Sequence, residues 1–270
     1  MDLSYFPWFV LTFAGIIGTC IGSFLNVIIY RLPLKQSIVF PASHCPNCNN
    51  KIHFYDNIPI LSYLILKAKC RNCHAKISFR YCAIEIMTGL TFILIIFNND
   101  YLLDLNLLKH IIFLCTGIIV AFIDGKHFII PDVITLPLIV IGLVLGYFSG
   151  NIIDSLIGAF SGFVAFYAIA LMYYFTKKEE GLGGGDIKYI TAIGAFLGAI
   201  GTLFVMFLSS FIALFAYSLI YKKNNRKNSN DNSQTSAMPV IPYGVFLAIA
   251  GIFYLLFGEL FTNWYLSFLY

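Results

Sequence analysis

The sequence predicts an all-α polytopic membrane protein with about eight transmembrane helices and a small cytoplasmic zinc-binding loop between helices 1 and 2. Of its 270 residues, 59% are hydrophobic and only 11% are charged, whereas a soluble domain carries about 25% charged residues. The apolar runs are continuous instead of alternating, which favours membrane helices over a β-barrel. One stretch between the first two runs is polar, basic and rich in cysteine, which predicts a separate module.

The placement of the basic residues predicts the orientation of the chain in the membrane. Residues 31–82 hold eight Lys or Arg and one acid, Asp56, and Lys222–Lys227 holds four more basic residues. Four other lysines lie near Asp124 and Asp186, and only Lys109 falls on the opposite side. The four are Lys126, Lys177, Lys178 and Lys188. The positive-inside rule puts the sixteen clustered charges in the cytoplasm. Topology alone explains these loops, so we expect contact with the lipid bilayer and no binding of nucleic acid.

The first predicted span is Trp8–Tyr30, and Arg31 marks its cytoplasmic end. The run is too long for the apolar core of a signal peptide and lacks a basic start, so we expect a retained span. Gly15, Gly18 and Gly22 are small enough to permit close helix packing. The amide of Asn26, near the cytoplasmic end, is expected either to hydrogen-bond a neighbouring helix or to line a site.

The loop at residues 31–82 contains two matched cysteine pairs. Cys45 and Cys48 form the first C-x2-C pair, and Cys70 and Cys73 form the second after 21 intervening residues. This spacing is typical of a four-cysteine structural zinc site, and the metal would supply folding energy that so small a loop cannot gain by burial. A redox pair or disulfides are the alternatives. A cytoplasmic location disfavours disulfides, and two matched pairs disfavour a single redox motif.

The next three spans are predicted at Ala83–Phe97, Leu107–Ile123 and Val133–Phe148. Glu85 lies at the start of the first of these, where an acid complements the helix dipole and could pair with Arg80.

Asp124 is delivered to the cytoplasmic face by the third span, before a loop at Gly125–Pro131. Asp132 follows Pro131 and precedes an apolar run, so we expect it to cap a helix, and we rank it below Asp124 as a catalytic candidate. The fifth span is Ile152–Phe175.

The stretch Gly181–Lys188 places Asp186 after four glycines in five positions and before another apolar block. Glycines such as Gly183 and Gly185 allow a positive φ and the close approach of another backbone. An acid at the mouth of a span is costly and is a functional-site hypothesis by default. Two aspartates at two helix ends could share one proton and activate a water. Lys188 is expected either to pair with Asp186 or to face lipid headgroups.

The run Tyr189–Tyr221 is too long for one crossing. A break at Gly198–Gly201 would give two spans, Tyr189–Ile200 and Thr202–Tyr221, of which the first is short. Lys222–Ala237 is predicted to be a polar, mobile cytoplasmic loop. The last span is Ile241–Phe257. Eight spans put both termini outside and bring Asp124 and Asp186 to the same side of the membrane.

Taken together, these motifs identify a family resemblance. The sequence resembles the type IV prepilin peptidases, which are membrane aspartic proteases of the GxGD class, and the resemblance runs almost end to end. The matching segments are Gly22–Pro33, Ser43–Cys48, Tyr55–Tyr63, Lys69–Cys73, Ile77–Tyr81 with Glu85, Phe122–Asp132, Gly181–Lys188 and Ile241–Gly244. Two positions depart from the family pattern, Cys82 and Val245, where the family often has proline.

The resemblance implies two activities. The first removes the short basic leader from prepilins or pseudopilins at the cytoplasmic face of the inner membrane, and the family's catalytic aspartates match Asp124 and Asp186. The second methylates the new N-terminus with S-adenosyl-L-methionine, and it is associated with the N-terminal part. We therefore divide the chain into residues 1–100, with the cysteine loop, and a six-span peptidase core at residues 101–270.

The methyltransferase site is less clearly marked in the sequence. No Gly-x-Gly-x-x-Gly motif follows a strand pattern, so a Rossmann site is not expected. The polar candidates for binding the cofactor are Asn26, Arg80 and Glu85. Two other functions compete with the enzyme: an ion-coupled transporter that uses the membrane acids, and a non-enzymatic membrane adaptor that docks a partner through its zinc loop.

Overall fold

The computed structural model describes residues 7–179, 181–228 and 241–266. The helices are α1 (Pro7–Arg31), α2 (Leu61–Ile65), α3 (Phe79–Asn98), α4 (Leu105–His127), α5 (Asp132–Phe148), α6 (Ile152–Lys177), α7 (Gly184–Asn228) and α8 (Tyr243–Leu266), with one 3-10 turn at Phe54–Asn57. Within the described ranges, β structure is limited to two isolated bridges in the cysteine-rich segment.

The all-α membrane architecture predicted from the composition is confirmed. Five helices in the described part are long and apolar enough to cross a membrane, namely α1, α3, α4, α6 and α7 as far as Ile220. Two shorter apolar helices lie at Asp132–Phe148 and Tyr243–Gly258. Every peptide group inside a bilayer needs a partner within the chain, and a helix supplies these partners locally. The count of eight crossings stays a prediction.

The chain divides into two compact units, Met1–Cys115 and Thr116–Tyr270. In the first unit, α1 lies along α3 with little space between them. A Cβ atom at Gly18 would lie 2.9 Å from the Cα of Gly89, and one at Gly22 would lie 2.9 Å from the Cα of Glu85. Because these contacts are with backbone atoms, only glycine allows the two helices to approach so closely. The packing role predicted for the small residues of the first span is confirmed.

In the second unit, α7 reverses direction at Gly198. That residue has φ of 71° and ψ of −173°, outside the helical region. A Cβ atom at Gly162 of α6 would lie 3.1 Å from both the carbonyl oxygen of Ile190 and the Cγ2 of Thr202. In a straight helix those two residues would be about 18 Å apart. The two halves of α7 therefore run side by side in opposite directions, as the predicted break requires.

The turn of this helical hairpin is capped by a carboxylate from the neighbouring helix. Asp154 lies in the first turn of α6, and its Oδ1 accepts a hydrogen bond of 3.0 Å from the backbone N–H of Ala199. That N–H opens the second half of α7 and has no partner inside its own helix. Gly198 itself lies against the Asp154 carboxylate, where a side chain would clash.

Several predicted boundaries differ from the observed ones. α4 continues to His127, because no helix-breaking residue intervenes before Pro131, so the predicted loop Gly125–Pro131 is shorter than expected. The predicted polar loop Lys222–Ala237 begins as helix, since α7 extends to Asn228. The rest of that loop, from residue 229, lies outside the described residues. α3 begins at Phe79, four residues earlier than expected.

The contact between α6 and α7 predicts a strong effect of one substitution. We expect Gly194→Val to lower the stability of the protein by about 1–3 kcal/mol or more, because its new side chain would meet the backbone of Gly158 and Ala159. The measurement is the midpoint of thermal unfolding in detergent, followed by circular dichroism. Gly184→Ala is the matched control, since no atom lies within 4 Å of its added carbon. An unchanged midpoint for Gly194→Val would contradict the packing.

Candidate functional site

Asp124 is a buried carboxylate near the end of α4, with 5% of its surface exposed. Its Oδ2 accepts a hydrogen bond of 3.2 Å from the backbone N–H of Val245. Val245 is the third residue of α8, and the first N–H groups of a helix have no partner within it. The N-terminus of a helix also favours negative charge. Asp124 therefore acts as a cap for α8, supplied by another helix.

Gly244 allows the carboxylate to reach this position. A Cβ atom there would lie 2.9 Å from the Asp124 Oδ2 and 2.6 Å from the Cδ1 of Ile130. Sequence reasoning noticed the segment Ile241–Gly244 only as part of the family pattern and gave Gly244 no role. The signal that could have found it is a glycine in the first turn of an apolar helix, where nothing but close approach favours that residue.

Asp186 lies in the first turn of α7 and is half-buried. Its backbone N–H donates to the carbonyl of Gly183 at 3.0 Å. The carboxyl group interacts electrostatically with that of Asp124. Ile130 lies beside both motifs, because a Cβ atom at Gly185 would lie 3.1 Å from its Cβ while its Cδ1 contacts Gly244. The structure thus brings together the two aspartates that the sequence predicted as a pair.

Gly183 and Gly185 serve close approach, whereas the positive φ that glycine allows is not used before Asp186. Among the glycines of the described residues, only Gly150 and Gly198 have φ greater than zero. Gly185 faces the backbone and side chain of Ile130, and Gly183 faces the Asp186 carboxylate, 3.1 Å from where its Cβ would lie. α7 begins at Gly184, so helical dihedral angles already apply within the motif.

Asp132 and Lys188 bind each other, which corrects two expectations. The Lys188 Nζ lies 2.8 Å from both carboxylate oxygens of Asp132. Asp132 is the first residue of α5, its predecessor Pro131 takes the cap position, and no side chain caps that helix. Asp132 is therefore not the helix cap that the sequence predicted. Lys188 bonds Asp132 instead of Asp186, and so it joins the start of α7 to the start of α5.

The four predicted cysteine ligands come together in the first unit. The sulfur atoms of Cys45, Cys48, Cys70 and Cys73 all lie within 4.8 Å of one another. All seven cysteines are free, so the disulfide alternative is not realised. Hydrogen bonds from the backbone N–H of Ala75 and then from the Asn47 amide lower the pKa of Cys73 to about 6. The cluster offers the donor set and spacing of a tetrahedral zinc site.

The two cysteine pairs are built by the same local structure, used twice. Asn49 donates its N–H to the Cys45 carbonyl at 2.8 Å, and His74 donates to the Cys70 carbonyl at 3.0 Å. Both donors have a left-handed backbone, with φ of 55° and 57°. An antiparallel bridge closes each turn, His44 with Lys51 and Lys69 with Lys76. Each knuckle therefore presents its two thiols to one point.

A cavity of about 430 Å³ lies beside the cysteine cluster in the first unit. Asn26 and Glu85 line it. The Asn26 amide nitrogen donates to the Tyr81 carbonyl at 3.1 Å, so it bonds the neighbouring helix as well as facing the cavity. Its buried Oδ1 has no hydrogen-bond partner. This orphaned acceptor suits a ligand that carries N–H or O–H groups.

Glu85 and Arg80 differ from their predicted roles. Glu85 is buried and accepts the backbone N–H of Ile60 at 2.8 Å, whereas the expected ion pair with Arg80 is absent from the described residues. The Arg80 guanidinium stacks 5.3 Å above the Tyr81 ring. Arg80 does not line the cavity, so the structure brings together only two of the three predicted cofactor residues.

Comparison with known sequences decides the family. Residues 111–218, which carry both aspartates, match the type IV leader peptidase family. Residues 16–99 match the bacterial peptidase A24 N-terminal domain. A prepilin leader peptidase/N-methyltransferase of Aeromonas salmonicida is 33% identical, with 97% of this chain and 95% of the relative covered.

The chain belongs to the type IV leader peptidase family.

Other relatives with the same name occur in Neisseria gonorrhoeae, at 34% identity over 80% of this chain and 84% of the relative, and in Myxococcus xanthus, at 38% over 72% and 58%. No solved structure matches the chain. The resemblance predicted from the sequence motifs is confirmed. The transporter and adaptor alternatives gain no support from these relatives.

The ion pair at the starts of α5 and α7 predicts the outcome of a charge exchange. Asp132→Lys and Lys188→Asp should each lower stability, because each places like charges together, and combining them should restore most of the loss. The coupling should be about 0.2–1 kcal/mol, since both side chains are partly exposed. Thermal unfolding of the four proteins in a double-mutant cycle measures it. Additive losses in the combined variant would refute the pairing, and Asp100→Lys serves as the exposed control.

Proposed function

We propose that this protein removes the leader peptide from prepilins or pseudopilins and methylates the new N-terminal amine. The observation that carries the proposal is the electrostatically interacting pair Asp124 and Asp186, held at the ends of two apolar helices. The names of the relatives, prepilin leader peptidase/N-methyltransferase, support both activities. We assign cleavage to the second unit and methylation to the first. The site faces the cytoplasm of the inner membrane, consistent with the clustered basic residues.

Cleavage proceeds through a water held between the two carboxyl groups. One of them is ionised and takes a proton from the water, whose oxygen attacks the carbonyl carbon of the scissile peptide bond. The protonated partner donates a hydrogen bond to the developing oxyanion and then supplies a proton to the leaving amine. The pair shares one proton, so neither role belongs to a named residue. Gly183 leaves room for the Asp186 carboxylate and Gly244 for that of Asp124, since a Cβ atom at either position would lie 3.1 Å or 2.9 Å from a carboxylate oxygen.

Methylation takes place at the cavity of the first unit. When bound there, S-adenosylmethionine supplies an electrophilic methyl group. The Asn26 Oδ1 is an acceptor without a partner, suited to an N–H or O–H of that cofactor. The Glu85 carboxylate can hold the N-terminal ammonium of the cleaved substrate and take its proton, which frees the nitrogen lone pair. The cysteine knuckles form part of the cavity wall.

The first test is co-expression with a prepilin that carries a basic leader, followed by mass spectrometry of the product N-terminus. We expect Asp124→Asn and Asp186→Asn each to slow cleavage by about a hundred- to ten-thousandfold, because neither amide can exchange the proton. Asp100→Asn, an exposed aspartate in a turn outside the site, is the matched control. Normal processing by either site variant would refute the dyad.

The same experiment separates the second activity from the first. Glu85→Gln should yield a shortened product without the added methyl mass, because the two activities belong to different units. A methylated product from Glu85→Gln would remove this residue from the transferase. An uncut substrate with every well-expressed protein, including the parent, would refute the proposed function as a whole.

The cysteine cluster predicts a bound metal. We expect purified protein to contain about one zinc ion per chain, and Cys73→Ser to lose it, because a tetrahedral site needs all four thiolates. Methylation should fail in that variant while cleavage continues. Elemental analysis by mass spectrometry measures the metal. Cys20→Ser, which lies outside the cluster, is the control, and an equal zinc content in Cys73→Ser would contradict the site.

A further inference from the structure

The short helix α2 exposes an apolar face in the middle of the cysteine-rich segment. Leu61, Leu64 and Ile65 lie on one side of the helix, with 56%, 63% and 72% of their surfaces exposed. Residues spaced three and four apart share a helix face. Ser62, in contrast, is buried and donates to the Tyr55 carbonyl. The helix therefore turns its polar side inward and its apolar side outward, the reverse of a helix on a water-soluble surface.

Two contacts fix α2 against the beginning of the membrane span α3. The Tyr63 ring packs edge-on against the ring of Phe79, the first residue of α3, with centroids 6.3 Å apart. The N–H of Ile60, just before α2, is bonded to Glu85, which lies about 9 Å farther along α3. Thus α2 lies alongside the first two turns of that span.

The length of α3 sets the depth of these turns in the membrane. It has 20 residues, or about 30 Å, which is the thickness of the hydrocarbon core of a bilayer. A helix of this length uses all its turns to cross, so its first turn begins at the boundary between headgroups and acyl chains and its second turn ends about 11 Å deep. The exposed face of α2 lies at the same level.

The charges around α2 complement an anionic membrane surface. Lys67 and Lys69 follow the helix directly and are exposed, and neither has an ion-pair partner among the described residues. The only acid of the loop, Asp56, is bonded to Arg71 at 2.6 and 2.8 Å. These hydrogen bonds lower the pKa of Asp56, so its carboxylate remains ionised and paired with Arg71.

We propose that α2 is an interfacial anchor, whose apolar face inserts Leu61, Leu64 and Ile65 into the bilayer that α1 and α3 cross, with anionic headgroups around Lys67 and Lys69. Helices of this kind bury an apolar face about 5–10 Å deep and gain from anionic lipids. A second protein copy fits less well, because stable protein interfaces bury at least about 1,000 Å² and three side chains supply far less. The anchor holds the Ile60 end of α2 against Glu85 and so keeps the cavity wall in place.

The test places a fluorescent reporter on the face. Leu64→Trp is made in the full chain with both native tryptophans, Trp8 and Trp264, replaced by Phe, and reconstituted into nanodiscs of phosphatidylglycerol and phosphatidylcholine. We expect lipids with brominated acyl chains to quench the emission about twofold, and aqueous iodide to have little effect, as an insertion depth within the acyl region requires. Asn72→Trp, on an exposed polar position of the cysteine knuckle, is the matched control and should be quenched by iodide.

Each outcome decides the proposal. An indole at position 64 that iodide quenches and brominated lipid does not would overturn it, as would equal quenching by bromine at both positions. Shielding of Leu64→Trp that disappears on dilution into excess lipid would show a second copy as the occupant. Ile65→Trp repeats the measurement in case the first variant misfolds. With Lys67→Gln and Lys69→Gln added, bromine quenching of Leu64→Trp should fall when phosphatidylglycerol is present, and an unchanged value would refute the role of the headgroups.

Discussion

The second unit depends on one hydrogen bond, from the backbone N–H of Val245 to the carboxylate of Asp124. A charge among apolar helices is costly unless donors surround it, and the free N–H groups at the start of α8 provide them. The bond ties the end of α4 to the start of α8. The bond requires that residue 244 be a glycine, because a side chain there would meet the Asp124 carboxylate. Ile130 fills the space between Gly244 and Gly185, which precedes Asp186.

The two units are held together by different kinds of contact. In the first, a short polar segment cannot bury enough apolar surface, so its order depends on four thiols gathered by two identical turns. In the second, helices meet backbone to backbone at Gly158 and Gly194, and hydrogen bonds such as that from Ala199 to Asp154 satisfy the ends of broken helices. The thiol cluster and the hydrogen-bonded helix ends meet the same requirement, that polar groups near a membrane have partners inside the protein.

Sequence reasoning predicted what short-range patterns determine. Apolar runs gave the helices, the spacing of four cysteines gave their cluster, and the break in α7 followed from length and Gly198. It missed contacts between distant segments, because nothing in the local pattern of Lys188 shows that its partner is Asp132. The cap role of Asp132 failed for a local reason, because Pro131 already supplies the conformation that starts α5. The role of Gly244 was not predicted, because Asp124, which it contacts in the structure, lies far away in the sequence.

The hairpin in α7 also determines how deep its first turn lies. The first half, from Gly184 to the break at Gly198, is only about 21 Å long, whereas the hydrocarbon core measures about 30 Å. This half-helix is enclosed by protein and not by lipid, since Tyr189, Ile190 and Ile193 are fully buried. Its first turn, which carries Asp186, can therefore end below the membrane surface, where the neighbouring helices would bound a recess that water can enter.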